Sequence, residues 1–281
     1  MKFSKQNGLW LPKPLRNQRG MVAPGIMPMT GPQGAPPSPP LTGLFVWLKT
    51  PIAGLVDNDV FTDFGVGADI QWPDSSGNGW DAAHDANVTS PVYRTTSVTI
   101  NGLPVVSFNA AIPHGMHTDN IRSVADGLTE ASIYIVGRIN NDPPASQAKA
   151  GLITLNNVGD FLTEFPGVLS SDEILSSTFR SARVNIGDPA TSLASPFYYG
   201  VLSQSADYKV RLNGSEIFST GTNTFATTDA GVPSYLIGHS FSGTFNFWYD
   251  GVIAEILIYD HFLDAGEITD IETYLADRFA I

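Results

Sequence analysis

GVIAEILIYDHFLDAGEITDIETYLADRF, residues 251–279, changes its hydrophobic period half-way along. GVIAEILIY (251–259) is a run of apolar and β-branched residues with Glu255 as its single acid, and it reads as a strand. Beyond it, Asp264 stands as an N-cap with Glu267 three residues later, the spacing of a capping box. Ile268, Ile271, Leu275 and Phe279 then share one helical stripe, while Asp270, Glu272, Thr273 and Asp277 are expected to face water. One short helix after a last strand predicts a lid on a sheet rather than a second domain.

Working back along the chain, the same short apolar runs recur. They are LFVWLK (44–49), LPVVSF (103–108), ASIYIVGR (131–138), GLITL (151–155), FYYGVLS (197–203), DYKVRL (207–212), SEIFS (215–219) and SYLIG (234–238). Each is bounded by Gly, Pro, Asn or Asp, which punctuate strands. Ile133 and Ile135 alternate with Tyr134 and Val136, so this strand is apolar on both faces, as an inner strand between covered layers must be. YKVRLNGSEIFS is a hairpin, because Asn213-Gly214 tolerates the positive φ angles of a two-residue turn. No helical pattern separates these strands and no internal repeat is present. The expected fold is all-β: an antiparallel two-sheet jelly-roll sandwich with one C-terminal helix.

Composition narrows the function classes. The 281 residues contain no cysteine, which removes disulfides and thiolate metal sites. No run approaches the roughly 20 apolar residues of a membrane span. The basic start, MKFSKQNGLWLPKPLRNQRG, has no apolar run behind it, so no secretion signal is expected and the chain is expected to begin at Met1. The net charge of −12 is unevenly spread. Residues 1–40 hold five basic residues and no acid (+5), whereas 41–281 hold the other 10 basic and all 27 acidic residues (−17). Such an acidic body argues against nucleic acid and membrane surfaces as partners.

Residues 1–40 also carry nine of the twenty prolines. They read as an extended basic arm, because proline fixes an extended path and removes donors. A disordered tail is the plainer alternative. Trp10, Leu11, Leu15, Met21, Ile26 and Met27, with Arg16 and Arg19, are the side chains expected to lie in grooves of neighbouring subunits. The remaining 41–281 are expected to form the sandwich.

Four ordered segments carry a family likeness: WPDSSGNGWDA (72–82), NGLPVVSFNA (101–110), YKVRLNGSEI (208–217) and the block from Tyr235 to Ile281. Together they resemble the laminin-G-like, concanavalin A-like jelly-roll domains of bacterial and phage proteins, over roughly residues 42–281. The resemblance implies a two-sheet antiparallel sandwich. Its members bind glycans, bind proteins or decorate larger assemblies, so it does not fix a function.

DSSGNGWDA (74–82) places Asp74, Ser76, Asn78 and Asp85 at calcium-loop spacing. Glycines 77 and 79 equally suit a tight turn capped by Asp74 and Asn78, and that reading is preferred; Asp74, Asn78 and Asp85 stay as weak metal candidates. No Gly-rich run leads into Lys-Ser/Thr, so no phosphate cradle is expected. His114 and His117 flank Gly115 and follow Pro113, and are expected to be exposed loop histidines. His84, His239 and His261 look isolated. No paired carboxylates of the kind that cleave glycosides sit on one strand face, and no nucleophile elbow exists, so an enzyme is not expected. In TFNFWYDG, strand alternation would bury Phe245, Phe247 and Tyr249 and leave Trp248 as the possible glycan contact.

The expectation from sequence is a non-enzymatic structural protein without cofactors. Laminin-G-like domains lacking a secretion signal look most at home in bacteriophage particles, as capsid-decoration or tail and fibre components. The partners are then other virion proteins and copies of the chain itself, engaged by the arm. The alternative is a carbohydrate-binding adhesion module for a host surface glycan, assisted by calcium at 74–85.

Overall fold

A computed structural model describes residues 3–6, 9–12, 38–65, 70–86, 88–112, 114–118, 127–140, 151–155, 161–164, 167–169, 172–179, 184–187, 189–225, 235–242 and 245–281. The chain divides into two units, Met1–Pro37 and Ser38–Ile281.

In the first unit, β1 (Phe3–Gln6) pairs antiparallel with β2 (Leu9–Pro12), Gln6 opposite Leu9. Asn7-Gly8 lies between them in sequence, the dipeptide typical of tight hairpins. Pro12 sits at the strand's end, where a missing N–H is tolerated. The start of the expected arm is thus a hairpin, with Trp10 and Leu11 on β2. Leu15, Arg16, Arg19, Met21, Ile26 and Met27 lie outside the described residues.

The second unit is built on two sheets. One runs in spatial order β11 (Gly167–Leu169), β12 (Asp172–Phe179), β10 (Phe161–Glu164), β9 (Gly151–Leu155), β17 (Tyr235–Ile237), β7 (Met116–Thr118) and β4 (Ala82–His84), with β13 (Val184–Gly187) on β12. The other runs β16 (Ser215–Thr220), β15 (Asp207–Leu212), β14 (Phe197–Gln204), β8 (Glu130–Ile139), β20 (Gly251–Tyr259), β6 (Val105–Phe108) and β5 (Val92–Arg94), with β3 (Leu44–Lys49) also on β20. Neighbours throughout are antiparallel. A separate hairpin joins β18 (His239–Ser242) to β19 (Phe245–Trp248). Helix α1 (Ala265–Phe279) closes the chain. No described helix is long and apolar enough to cross a membrane.

Strand β8 shows why the second sheet is the middle layer. Ile133 and Ile135 join the cluster that also takes Ala82, Met116, Ile153 and Ile237 from the first sheet. Tyr134 and Val136, on the opposite face, join Ile271, Tyr274, Leu275 and Phe279 of α1. Both faces of β8 and β20 are therefore covered, and all nine residues of β20 are buried. Each large apolar side chain so buried contributes about 1.5–3 kcal/mol. At the β15–β16 turn, Asn213 and Gly214 adopt φ of 47° and 79°, as that dipeptide requires.

A bulge in β20 sets which side chains reach the helix. Ile253 pairs with Gly137 and Glu255 with Val136, leaving Ala254 as an extra residue. Gly251–Ile253 pair with β6, and Glu255–Tyr259 pair with β3. The Ala254 carbonyl accepts from Thr50 N at 3.1 Å at that changeover. Ala254 and Glu255 consequently both point to the helix side, so the one acid of the strand avoids the sandwich interior.

The helix begins as its sequence predicts: Asp264 Oδ1 accepts from Gly266 N (2.7 Å) and Glu267 N (2.9 Å), and Glu267 Oε2 accepts from Asp264 N (2.9 Å). One helical assignment is corrected. Glu272 does not face water; it is 9% exposed. Arg211 Nε and Nη2 donate to it at 2.6 and 3.0 Å, and the Tyr134 hydroxyl at 3.1 Å. Tyr134 reaches it by lying across Gly200, its cross-strand neighbour, where a Cβ would come within 2.5 Å of the ring.

Candidate functional site

The 74–81 loop is tied to β3 by its own side chains. Asp74 Oδ1 accepts from Trp47 N and Ser76 N, both at 2.9 Å. Its Oδ2 accepts from Ser76 Oγ at 2.6 Å and Trp80 N at 3.0 Å. Asp81 Oδ1 accepts from Asp74 N at 2.7 Å, and Ser75 N donates to Trp47 O at 2.7 Å. Gly77 and Gly79 take φ of 91° and 80°, turns that a side chain would strain. Both oxygens of the Asp74 carboxylate are thus engaged by protein donors, and the Asn78 amide nitrogen donates to Leu44 O and Phe45 O. Asp85 lies beyond the loop, its backbone N donating to Gly115 O at 3.2 Å. Among the described residues no three His, Asp or Glu side chains converge on a metal position.

What the loop builds is a cleft. Its last turn carries Trp80 over the start of β3, where the Trp80 and Phe45 rings meet at 5.8 Å and 46°. Gly43, Leu44, Phe45, Asn78, Trp80, Leu128 and Asp260 enclose about 380 Å³, a volume suited to a small ligand. Trp80 Nε1 is buried without a hydrogen-bond partner. Gly43 fixes the rim: at φ 63°, a Cβ there would lie 2.3 Å from His261 Nδ1 and 2.5 Å from Asp260 Oδ1. Asp260 N donates to Gly43 O at 3.0 Å, so the end of β20 and the start of β3 are held together across the rim.

His261 is not isolated, contrary to the sequence reading. Its Nδ1 lies 3.1 Å from Asp260 Oδ1 and its Nε2 3.0 Å from Glu267 Oε1. Burial pulls its pKa down, but the hydrogen bonds to Asp260 and Glu267 and their charges outweigh this and raise it. The same network therefore fixes the cleft's carboxylate and the first turn of α1.

Three further histidines depart from the sequence reading: His84 is not isolated, its Nε2 lying 2.7 Å from Val88 O. His114 is buried, with Nδ1 unpartnered, and burial lowers its pKa. His117 lies on β7, half-buried, 3.3 Å from Asp63 Oδ1 and edge-on to Phe64. Pairing of β7 with β4 and β17 draws Met116 and His117 of HGMH into the first sheet, although Pro113 and Gly115 suggested a loop. Trp248 sits on β19 opposite His239, half-buried, and is not among the cleft's lining residues, whereas Tyr249 is fully buried.

Known structures share this architecture. Domain 4 of AbnA, a GH43 extracellular arabinanase from Geobacillus stearothermophilus solved in complex with arabinotriose, matches with a TM-score of 0.51 at 14% identity, over 77% of this chain and 100% of that one. Botulinum neurotoxin type C, from a study of its cell entry through two ganglioside molecules, matches with a TM-score of 0.51 at 13% identity, over 78% of this chain and 51% of that one. No protein-family model matches the sequence, and no curated protein matches it. The likeness is one of fold: an antiparallel β-sandwich of jelly-roll type.

Trp80, Leu128 and Asp260 were missed from sequence. Trp80 sits inside the 74–81 loop, but the residues it meets in the cleft are scattered along the chain: Phe45 on β3, Leu128 ahead of β8 and Asp260 after β20.

Proposed function

We propose that this chain is a non-catalytic carbohydrate-binding β-sandwich of the laminin-G-like kind, with its sugar site in the cleft beside Trp80. The observation that carries the reading is the cleft's composition: the Trp80 and Phe45 rings stand next to Asn78 and Asp260. Sugars offer an apolar C–H face and a fringe of hydroxyls, which suit an aromatic ring flanked by amide and carboxylate oxygens. The arabinotriose complex of the arabinanase domain, on the same fold, supports it. Asp260 is the one carboxylate among the described lining residues, whereas glycoside hydrolysis by the usual route uses two. Calcium is left out of the proposal, because Asp74 is committed to holding the loop.

Titration of glycan-array hits tests this with wild-type protein and Trp80→Ala. The variant should bind about tenfold more weakly or worse while staying folded by circular dichroism, with a lowered thermal midpoint because Trp80 also packs on the core. Undiminished binding by Trp80→Ala would remove the cleft as the site. The assembly role expected of residues 1–40, in a virion or otherwise, stays a proposal resting on their charge and proline content.

A further inference from the structure

The cleft's polar atoms are acceptors. Asn78 is oriented by its own bonds: Nδ2 donates to Leu44 O at 3.3 Å and Phe45 O at 3.0 Å, which leaves Oδ1 for a ligand. The Trp80 indole N–H is buried, so the ring presents carbon. Asp260, with a side chain 48% exposed, supplies carboxylate oxygens. Among the described residues, no lysine or arginine lines the cleft.

The Asp260 charge is not cancelled locally. Its neighbour His261 is shared with Glu267, so two carboxylates bracket one imidazole. The trio carries about −1 with His261 protonated and about −2 with it neutral. Residues 41–281 add a field of the same sign, with 10 basic against 27 acidic residues. Sugar hydroxyls donate readily to such acceptors. A sugar carboxylate or sulfate would meet like charge, with no lysine or arginine among the described lining residues to receive it and with His261 already engaged by two carboxylates.

We infer that the cleft selects uncharged glycans and rejects those bearing carboxylate or sulfate groups, with Asp260 as the residue that rejects them. The inference rests on the glycan reading of the cleft and adds a substrate class to it.

The test is an array carrying neutral oligosaccharides, their uronic-acid counterparts, and sialylated and sulfated glycans, followed by titration of the best neutral hit and its uronate counterpart. Wild-type protein should bind the neutral member at least about tenfold more tightly, and the gap should widen at low salt. Asp260→Asn, checked for an unchanged circular dichroism spectrum, should close most of that gap by admitting the uronate. Equal or tighter binding of acidic glycans by the wild type would overturn the inference and leave the sugar site standing. So would an unchanged gap in Asp260→Asn. Silence of the wild type across the whole array would overturn both.

Discussion

The Trp47 indole N–H donates to Glu255 Oε1 across 2.5 Å, tying neighbouring strands β3 and β20 together beneath the helix. The Tyr274 hydroxyl donates to the same oxygen at 2.6 Å, and Arg278 Nε lies 2.9 Å from Oε2. Glu255 is fully buried, and burial raises its pKa against the opposing pull of Arg278, Tyr274, Trp47 and Lys49. A carboxyl in this position fastens strand to helix and would be costly to orphan. Glu255→Ala should destabilise by roughly 3 kcal/mol or more, since it strands Arg278 and two donors. Glu255→Gln, which can still accept from Trp47 and Tyr274, should cost clearly less. Urea denaturation of both variants separates the two outcomes, and equal losses would mean the hydrogen bonds carry nothing.

Arg211 and Glu272 make the second tie between sheet and helix, from β15 to the middle of α1. The geometry is two-pronged, and Arg211 Nη2 also donates to Gly214 O at 2.8 Å, next to the hairpin turn. Removing Glu272 leaves a partly buried guanidinium and the Tyr134 hydroxyl short of an acceptor. Glu272→Ala should therefore cost about 3 kcal/mol, and Arg211→Ala a similar amount. The double variant should fall well short of the sum, because the two side chains act as one contact. A double-mutant cycle measures this directly, and strict additivity would contradict it.

Why these ties were invisible in the sequence, when the sandwich was not, is a matter of range. Period-two alternation at 131–136, Asn213-Gly214 and the Asp264/Glu267 box are local signals, and each acts within a few residues of itself. Glu272 follows Ile268 by four residues and so falls on the flank of the apolar stripe; its charge suggested water, and only Arg211 and Tyr134, distant in sequence, supply the partners that bury it. The Ala254 bulge has no signature in GVIAEILIY, yet it directs Glu255 to the helix. The cleft is still less local, since Phe45, Trp80 and Asp260 meet only when the two ends of the sandwich chain pair as β3 and β20. Charge at Asp260 and the aromatic at Trp80 were legible as residues, but their juxtaposition was not.

His261 gives the fold a pH dependence of known sign. Its pKa in the folded chain is raised above the ordinary 6.5. The folded state then binds the proton more tightly than the unfolded one, so this stabilisation is complete below 6.5 and is lost as pH rises through the folded value. Urea midpoints of wild type and His261→Asn, compared from roughly pH 5.5 to 9, should converge as pH rises. A difference that stays constant across that window would show that the imidazole's charge does not stabilise the rim.

Asn101 caps the far end of the same helix from a distant turn, with Nδ2 donating to Phe279 O and, at 3.2 Å, to Ala280 O. Ile100 and Leu103 exchange backbone bonds at 3.1 and 2.9 Å around Asn101-Gly102, whose φ angles are 48° and 82°. Asn101 therefore does two things: it adopts a left-handed backbone that most residues resist, and it satisfies helix carbonyls that would otherwise lack donors. The two contributions can be separated by substitution. Asn101→Gly keeps the backbone and removes the cap, so it should cost about 1 kcal/mol. Asn101→Ala removes the cap and adds backbone strain, so it should cost about 2 kcal/mol. Denaturant midpoints at constant slope provide the measurement. Equal costs would mean the positive φ adds no strain, and a neutral Asn101→Gly would mean the helix end has no need of this donor.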